Sequence, residues 1–136
     1  MRLTAGRFMR VLVVDDQATM RRIIVKCVQK VGVHECREAM DALDALRVLS
    51  VTEIDFVITD WNMPGMSGLE LIRTLRAQDA TRAIPVLMVT RNDTEDQVKA
   101  ALKAGVSAYV VKPFTAETMM RHLRAILHPG SDTDTR

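Results

Sequence analysis

The chain has no apolar run long enough to cross a bilayer, and its start, Met1-Arg2-Leu3-Thr4-Ala5-Gly6-Arg7, lacks the apolar stretch of a secretory signal. That pattern excludes a membrane role and predicts a cytoplasmic location. Cysteine is scarce: Cys27 and Cys36 stand apart, with no CxxC and no histidine at metal-ligand spacing. A disulfide framework and a thiolate metal centre are thereby excluded, and two buried, reduced thiols are expected. An excess of charge of one sign is missing too. The 19 basic residues against 17 acidic ones leave a formal charge of +2, too near balance to announce a nucleic-acid or membrane surface. There is no internal repeat, and 136 residues leave no room for a second folded domain. Without an export signal, the sequon Asn92-Asp93-Thr94 is chance.

What the chain does have is four short apolar runs that each stop at a reactive polar residue. Val11-Leu12-Val13-Val14 stops at Asp15-Asp16, Phe56-Val57-Ile58-Thr59 at Asp60, Val86-Leu87-Met88-Val89 at Thr90, and Tyr109-Val110-Val111 at Lys112. The segments between them carry helical periodicity. Met20, Ile23, Ile24, Cys27, Val28 and Val31 recur at i, i+3, i+4 before Gly32, and a short strand near His34–Arg37 precedes a second helix bearing Ala42, Leu43, Leu46 and Leu49. Ile54–Thr59 reads as a buried parallel strand. Pro64, Gly65 and Gly68 mark a loop, after which Leu69, Ile72 and Leu75 stripe a third helix, and Pro85 stands at the mouth of the next strand. Thr94 caps a fourth helix, with Glu95 and Asp96 in its first turn and Gly105 past its end. The strand Ala108–Val111 leads through Pro113 to a last helix with Met119, Leu123, Ile126 and Leu127 on one face, stopped by Pro129-Gly130. Residues 1–8 are then an N-terminal arm, 9–128 one folded domain and 129–136 a mobile polar tail.

Five strands alternating with five helices predict an α/β fold, a single doubly wound domain with a five-stranded parallel sheet. Right-handed crossovers leave few topologies, of which the order 2-1-3-4-5 makes the strands ending at Asp15-Asp16 and Asp60 neighbours. Three carboxylates, a hydroxyl and an amine then meet at the sheet edge where open α/β sheets bind ligands. Three carboxylates there repel unless one is protonated or a cation sits among them, and oxygen-only donors select a hard ion such as Mg2+ (or Mn2+). Asp60 stands alone at the end of a central strand and is the candidate nucleophile, giving an acyl phosphate, while Asp15 and Asp16 suit the ion. Lys112 can offset charge on Asp60 and on an incoming phosphoryl group, and the Thr90 hydroxyl can donate to a phosphoryl oxygen. Taken singly, each of these residues also reads as an ordinary cap or solvated charge.

At these residues the chain closely resembles the receiver domains of two-component response regulators, and within them the single-domain chemotaxis regulators. The resemblance spans about residues 9–127. It is carried by Val13-Val14-Asp15-Asp16, Thr19-Met20-Arg21-Arg22, Asp60-Trp61-Asn62-Met63-Pro64, Gly68-Leu69-Glu70-Leu71, Pro85-Val86-Leu87-Met88-Val89-Thr90 and Tyr109-Val110-Val111-Lys112-Pro113-Phe114-Thr115. The flavodoxin-like (βα)5 order 2-1-3-4-5 is itself known from these regulators, so fold and resemblance are one statement rather than two. The resemblance implies that Asp60 takes phosphate from the phosphohistidine of a sensor histidine kinase of the chemotaxis type. It implies a magnesium site made directly by Asp16, Asp60 and the Asn62 carbonyl, with Asp15 acting through water. It implies a switch in which Thr90 moves toward the phosphoryl group and the ring of Tyr109 turns inward, and a cis peptide at Lys112-Pro113. The output would be the face of the fourth helix, fifth strand and fifth helix, where Arg121, His122 and Arg124 suit an acidic segment of a flagellar motor switch protein or another effector. A phosphatase is a further partner, and a monomer is expected.

Three residues depart from the family pattern. Arg91 occupies the place after the switch threonine where a small residue is usual, Ser67 a place where an acid is common, and Ala42 that of a frequent glycine. Arg91 predicts phosphorylation or hydrolysis kinetics unlike the common chemotaxis type. Three other readings stay open: a stand-alone receiver outside motility or one that only drains phosphate, a receiver cut from an output domain, and a magnesium-dependent aspartyl-phosphate phosphatase of the haloacid-dehalogenase type. The last wants Asp-x-Asp after the first strand, whereas here the pair Asp15-Asp16 is adjacent.

Overall fold

In a computed structural model, which describes residues 9–128, strands and helices alternate without exception. The expected arm, tail and Pro129-Gly130 stop lie outside the described residues. The strands are β1 (Arg10–Val14), β2 (Glu35–Ala39), β3 (Phe56–Thr59), β4 (Val86–Thr90) and β5 (Ala108–Val111). The helices are α1 (Ala18–Lys30), α2 (Ala42–Val51), α3 (Gly68–Arg76), α4 (Glu95–Ala104) and α5 (Ala116–Leu127). All four strand pairings are parallel and the order is β2-β1-β3-β4-β5, as expected. No helix among the described residues is long and apolar enough to cross a membrane.

Strand residues alternate between two apolar layers because successive side chains point to opposite faces of a sheet. Val11, Val13, Phe56, Ile58, Leu87 and Val89 pack with Ile24 and Val28 of α1 and Met119 and Leu123 of α5. Leu12, Val14, Val57 and Met88 pack on the other face with Ala42 and Ala45 of α2, Leu71, Ile72 and Leu75 of α3, and Ala101 of α4. Burial of each large side chain contributes about 1.5–3 kcal/mol, so the central strands are held from both faces and their carboxyl ends are fixed in register.

The differences from the expected elements follow from packing. β2 runs on to Ala39 because Glu38 and Ala39 continue the ladder opposite Val13 and Val14; its charges hide a solvated edge strand. β3 begins at Phe56 rather than Ile54, since Asp55 turns its carboxylate onto the Arg10 backbone N–H at 2.9 Å. Leu43, expected on the buried face of α2, is 67% exposed, because the small Ala42 and Ala45 bring that helix onto the sheet instead. Cys27 is buried but Cys36 is only half-buried, and partial burial with Glu38 beside it pushes the Cys36 thiol up to about 11. Ser67 caps α3 through a reciprocal box with Glu70.

Gly68, expected in the loop before α3, is the first residue of that helix and is buried beneath the end of β3. Its N–H donates to the Trp61 carbonyl at 2.7 Å, and a Cβ there would lie 1.9 Å from the Asp60 carbonyl oxygen. Only glycine lets α3 approach the Asp60 turn this closely. Gly68→Ala is expected to lower stability by about 1–3 kcal/mol, read as a lower urea midpoint; an unchanged midpoint would show that the turn relaxes freely.

Candidate functional site

Register does the first part of the assembly. β1 lies between β2 and β3 with Val14 opposite Thr59, so Asp15 and Asp60 leave adjacent strands side by side. The Asp60 N–H extends the pairing to the Val14 carbonyl at 3.1 Å, and the Asp15 N–H to that of Ala39 at 3.1 Å. On the far side, the Lys112 N–H donates to the Thr90 carbonyl at 2.8 Å, and the following Lys112–Pro113 bond is cis.

Lys112 then draws the carboxylates together. Its Nζ donates to Asp60 Oδ2 at 3.0 Å and to Asp15 Oδ2 at 3.2 Å, with all three side chains buried. The remaining oxygens are held by backbone. Asp15 Oδ1 accepts from the Gln17 N–H at 2.9 Å, and Asp60 Oδ1 from the Trp61 N–H at 2.6 Å and the Asn62 N–H at 3.4 Å. Asp16 is exposed, yet a carboxylate oxygen from each of Asp15, Asp16 and Asp60 lies within 4.8 Å of the other two. Three acids against one ammonium leave the cluster electron-rich. Desolvation by burial raises the Asp15 carboxyl above its ordinary value, more than the Gln17 N–H and Lys112 lower it. This all-oxygen cluster suits a hard divalent cation.

Thr90 is buried at the end of β4, and its Oγ1 accepts from the Asn92 N–H at 3.3 Å. Asn92 gathers two more contacts. Its Oδ1 accepts from Asn62 Nδ2 at 3.0 Å and its carbonyl accepts from the Tyr109 hydroxyl at 2.6 Å. Tyr109 is half-buried on β5, and burial together with Asp93 and Asp60 raises its phenol. Arg91 is exposed directly after Thr90 and has no hydrogen-bond or ion-pair partner among the described residues.

The seven site and switch residues named from the sequence therefore stand at one edge of the sheet: Asp15, Asp16, Asp60, Asn62, Thr90 and Lys112 around the carboxylates, and Tyr109 hydrogen-bonded to the loop after Thr90. Two participants were not singled out there. Arg21 donates to the Asp15 carbonyl at 2.6 Å and to Glu38 at 2.9 Å, bracing the turn after β1, and only its place in the run Thr19-Met20-Arg21-Arg22 pointed toward it. Asn92 entered only as part of the sequon Asn92-Asp93-Thr94, set aside as chance; its position two residues after Thr90 is the signal that points to the site.

The response regulator receiver domain family matches residues 11–124 of the chain. The chain is 46% identical over 118 residues to the chemotaxis protein CheY of Pseudomonas aeruginosa, covering 87% of this chain and 95% of that one. It is 43% identical over 118 residues to the chemotaxis protein CheY-3 of Vibrio cholerae, covering 87% and 91%. Among solved structures, CheY4 of Vibrio cholerae superposes with a TM-score of 0.81 at 30% identity, over 88% of this chain and 99% of that one. A response regulator receiver protein of Pseudomonas putida gives 0.80 at 27% identity, over 88% and 98%. With its fold, its acidic cluster and these relatives in agreement, the chain belongs to the response regulator receiver domain family and is closely related to the CheY-type chemotaxis regulators.

Proposed function

We propose that Asp60 accepts a phosphoryl group from the phosphohistidine of a chemotaxis-type sensor kinase, and that the acyl phosphate resets the face formed by α4, β5 and α5. The observation that carries this reading is the Asp60 carboxylate itself. It is buried at the end of a central strand, held on Oδ2 by Lys112 and on Oδ1 by backbone N–H groups, with two further carboxylates within reach. In the transfer, a carboxylate oxygen of Asp60 forms the O–P bond as the P–N bond breaks, and the imidazole nitrogen keeps the bonding pair. Lys112 offsets charge on the carboxylate and on the arriving phosphoryl oxygens.

The oxygen-only set of Asp15, Asp16 and Asp60 fits magnesium or manganese, to which the family resemblance adds the Asn62 carbonyl; when bound, the ion neutralises the carboxylates and the transferred oxygens. Thr90 then reads the product. Its hydroxyl accepts from Asn92, which leaves its own proton for a phosphoryl oxygen. A shift of Thr90 pulls on Asn92, and through the Asn92 carbonyl on Tyr109, so a local charge event moves the β4–α4 loop. As a receiver domain the chain is a phosphoacceptor rather than an enzyme with a substrate of its own.

The relatives' names place them in chemotaxis, and on that ground the proposed effector is a segment of the flagellar motor switch. Leu102, 55% exposed, and exposed Val111 offer apolar contact among Lys99, Lys103, Arg121 and Arg124, a surface suited to an acidic amphipathic segment.

Incubation with a small phosphodonor and magnesium is expected to add the mass of one phosphoryl group to the wild-type protein and none to Asp60→Asn. With a beryllofluoride mimic, wild type but not Asp60→Asn is expected to tighten on a flagellar switch peptide; no change in either protein would remove the motor while leaving the receiver. In metal-free buffer near neutral pH, Asp15→Asn is expected to raise stability, read as a higher urea midpoint, because burial holds the Asp15 carboxyl above its ordinary value and the amide has no charge to desolvate. The sign follows from that raised value: the Asp15 contribution is most favourable in acid and is lost as pH rises through the folded-state value. Magnesium should stabilise the wild type more than this variant, and equal gains by thermal unfolding would remove Asp15 from the ion site. Arg91→Ala is expected to shorten the lifetime of the acyl phosphate several-fold, since the free guanidinium can lie over the site and screen it from water. Equal hydrolysis rates would remove that role.

A further inference from the structure

The site has no contact with the side chain that ties down the far end of α4. Arg76, the last residue of α3, directs its half-buried guanidinium at three backbone carbonyls. Nε and one terminal nitrogen donate to Gly105 at 3.1 and 2.8 Å, and the other terminal nitrogen donates to Arg82 at 3.0 Å and Ile84 at 2.7 Å. No carboxylate pairs with it among the described residues. Gly105 is the left-handed C-cap of α4, φ 107°, so the cation sits where the helix dipole is negative and carbonyls are left over. The fit is close: a Cβ on Gly105 would lie 2.8 Å from Arg76 Nε.

The rest of α4 is held weakly. Ala101 is its only fully buried residue, Val98 is half-buried and Leu102 faces solvent. At its amino end the capping box between Thr94 and Gln97 is internal to the helix and anchors it to nothing else. That end joins the loop in which Asn92 meets Thr90, Asn62 and Tyr109. One terminus is thus pinned to α3 and to the entry of β4, and the other is tied to the switch.

We infer that Arg76 is a positioning residue that makes the carboxyl end of α4 a pivot, so that a change at the site swings the amino end of the helix rather than translating the whole. The inference rests on the proposed phosphorylation switch. A helix with one buried residue has little apolar contact to hold it in place, and four hydrogen bonds on one guanidinium decide which end stays. The displaced part is then the first two turns, including Val98 and the exposed Lys99.

Hydrogen exchange along α4, with and without beryllofluoride and magnesium, tests this on the full chain. In the wild type, amides of Asn92–Val98 are expected to change by about fivefold or more on adding the mimic, while those of Ala101–Val106 stay within about twofold. In Arg76→Met without the mimic, the Ala101–Val106 amides are expected to exchange about tenfold faster, with β1 and β3 amides unchanged, and the response to the mimic then spreads along the helix. Arg76→Lys, which keeps one donor group, is expected to restore part of the asymmetry. An equal response at both ends of α4 in the wild type would overturn the pivot, as would Arg76→Met with the carboxyl end still protected. The wild-type comparison alone decides between pivot and translation even if the methionine variant fails to fold. No response at Thr90 or Tyr109 in the wild type would overturn the switch reading and the pivot with it, whereas an even response that includes them overturns the pivot alone.

Discussion

A single ammonium between two buried carboxylates is the interaction on which the rest of this structure depends. Lys112 leaves β5 and reaches across the end of β4 to Asp60 on β3 and Asp15 on β1, so three strand ends are held by one charge. Removing the Lys112 ammonium costs about 3–5 kcal/mol, because the two buried carboxylates are then left with no cation between them. One ammonium does not neutralise three acids, however. The remaining negative charge makes the site a natural seat for a divalent cation, while burial leaves the Asp15 carboxyl reluctant to ionise. The strands beneath are buried on both faces and close-packed, which holds the three acids in place despite that tension.

From this rigid base the structure becomes progressively looser toward the proposed output. Thr90 is wholly buried, Asn92 and Tyr109 are half-buried, and α4 beyond them keeps only Ala101 fully inside. That gradient is what a switch requires. A phosphoryl group makes contacts worth a few kcal/mol at most, enough to shift populations of a weakly packed loop and helix but not to repack a sheet. In the proposed switch the hydrogen bonds through Asn92 are the mechanical link, and Arg76 is the fixed point against which that link would act.

Departures from the family pattern sort by their surroundings. Ser67 became a helix cap and Ala42 a close contact between α2 and the sheet, so both are absorbed by local structure. Arg91 is absorbed by nothing: it is exposed, unpaired among the described residues and one residue from the switch hydroxyl. Its proposed influence therefore falls on the lifetime of the modification rather than on the fold.

The order of residues alone sets the alternation of elements, the parallel sheet and the residues that stop each strand, because period-2 and period-3.6 patterns are local consequences of which face is buried. It determined the composition of the site as well, since Asp15, Asp16, Asp60, Thr90 and Lys112 each end an apolar run. It misplaced the margins: the polar edge strand β2 carries no apolar signature, and Leu43 is no less hydrophobic for facing water. Folding is what brings Gly68 against the Asp60 carbonyl, Asn92 to Asn62, Thr90 and Tyr109, and Arg76 to Gly105. These contacts join residues from separate elements, and their polar partners are backbone groups or common amides. Nothing in the order of residues marks such a contact until the chain has folded.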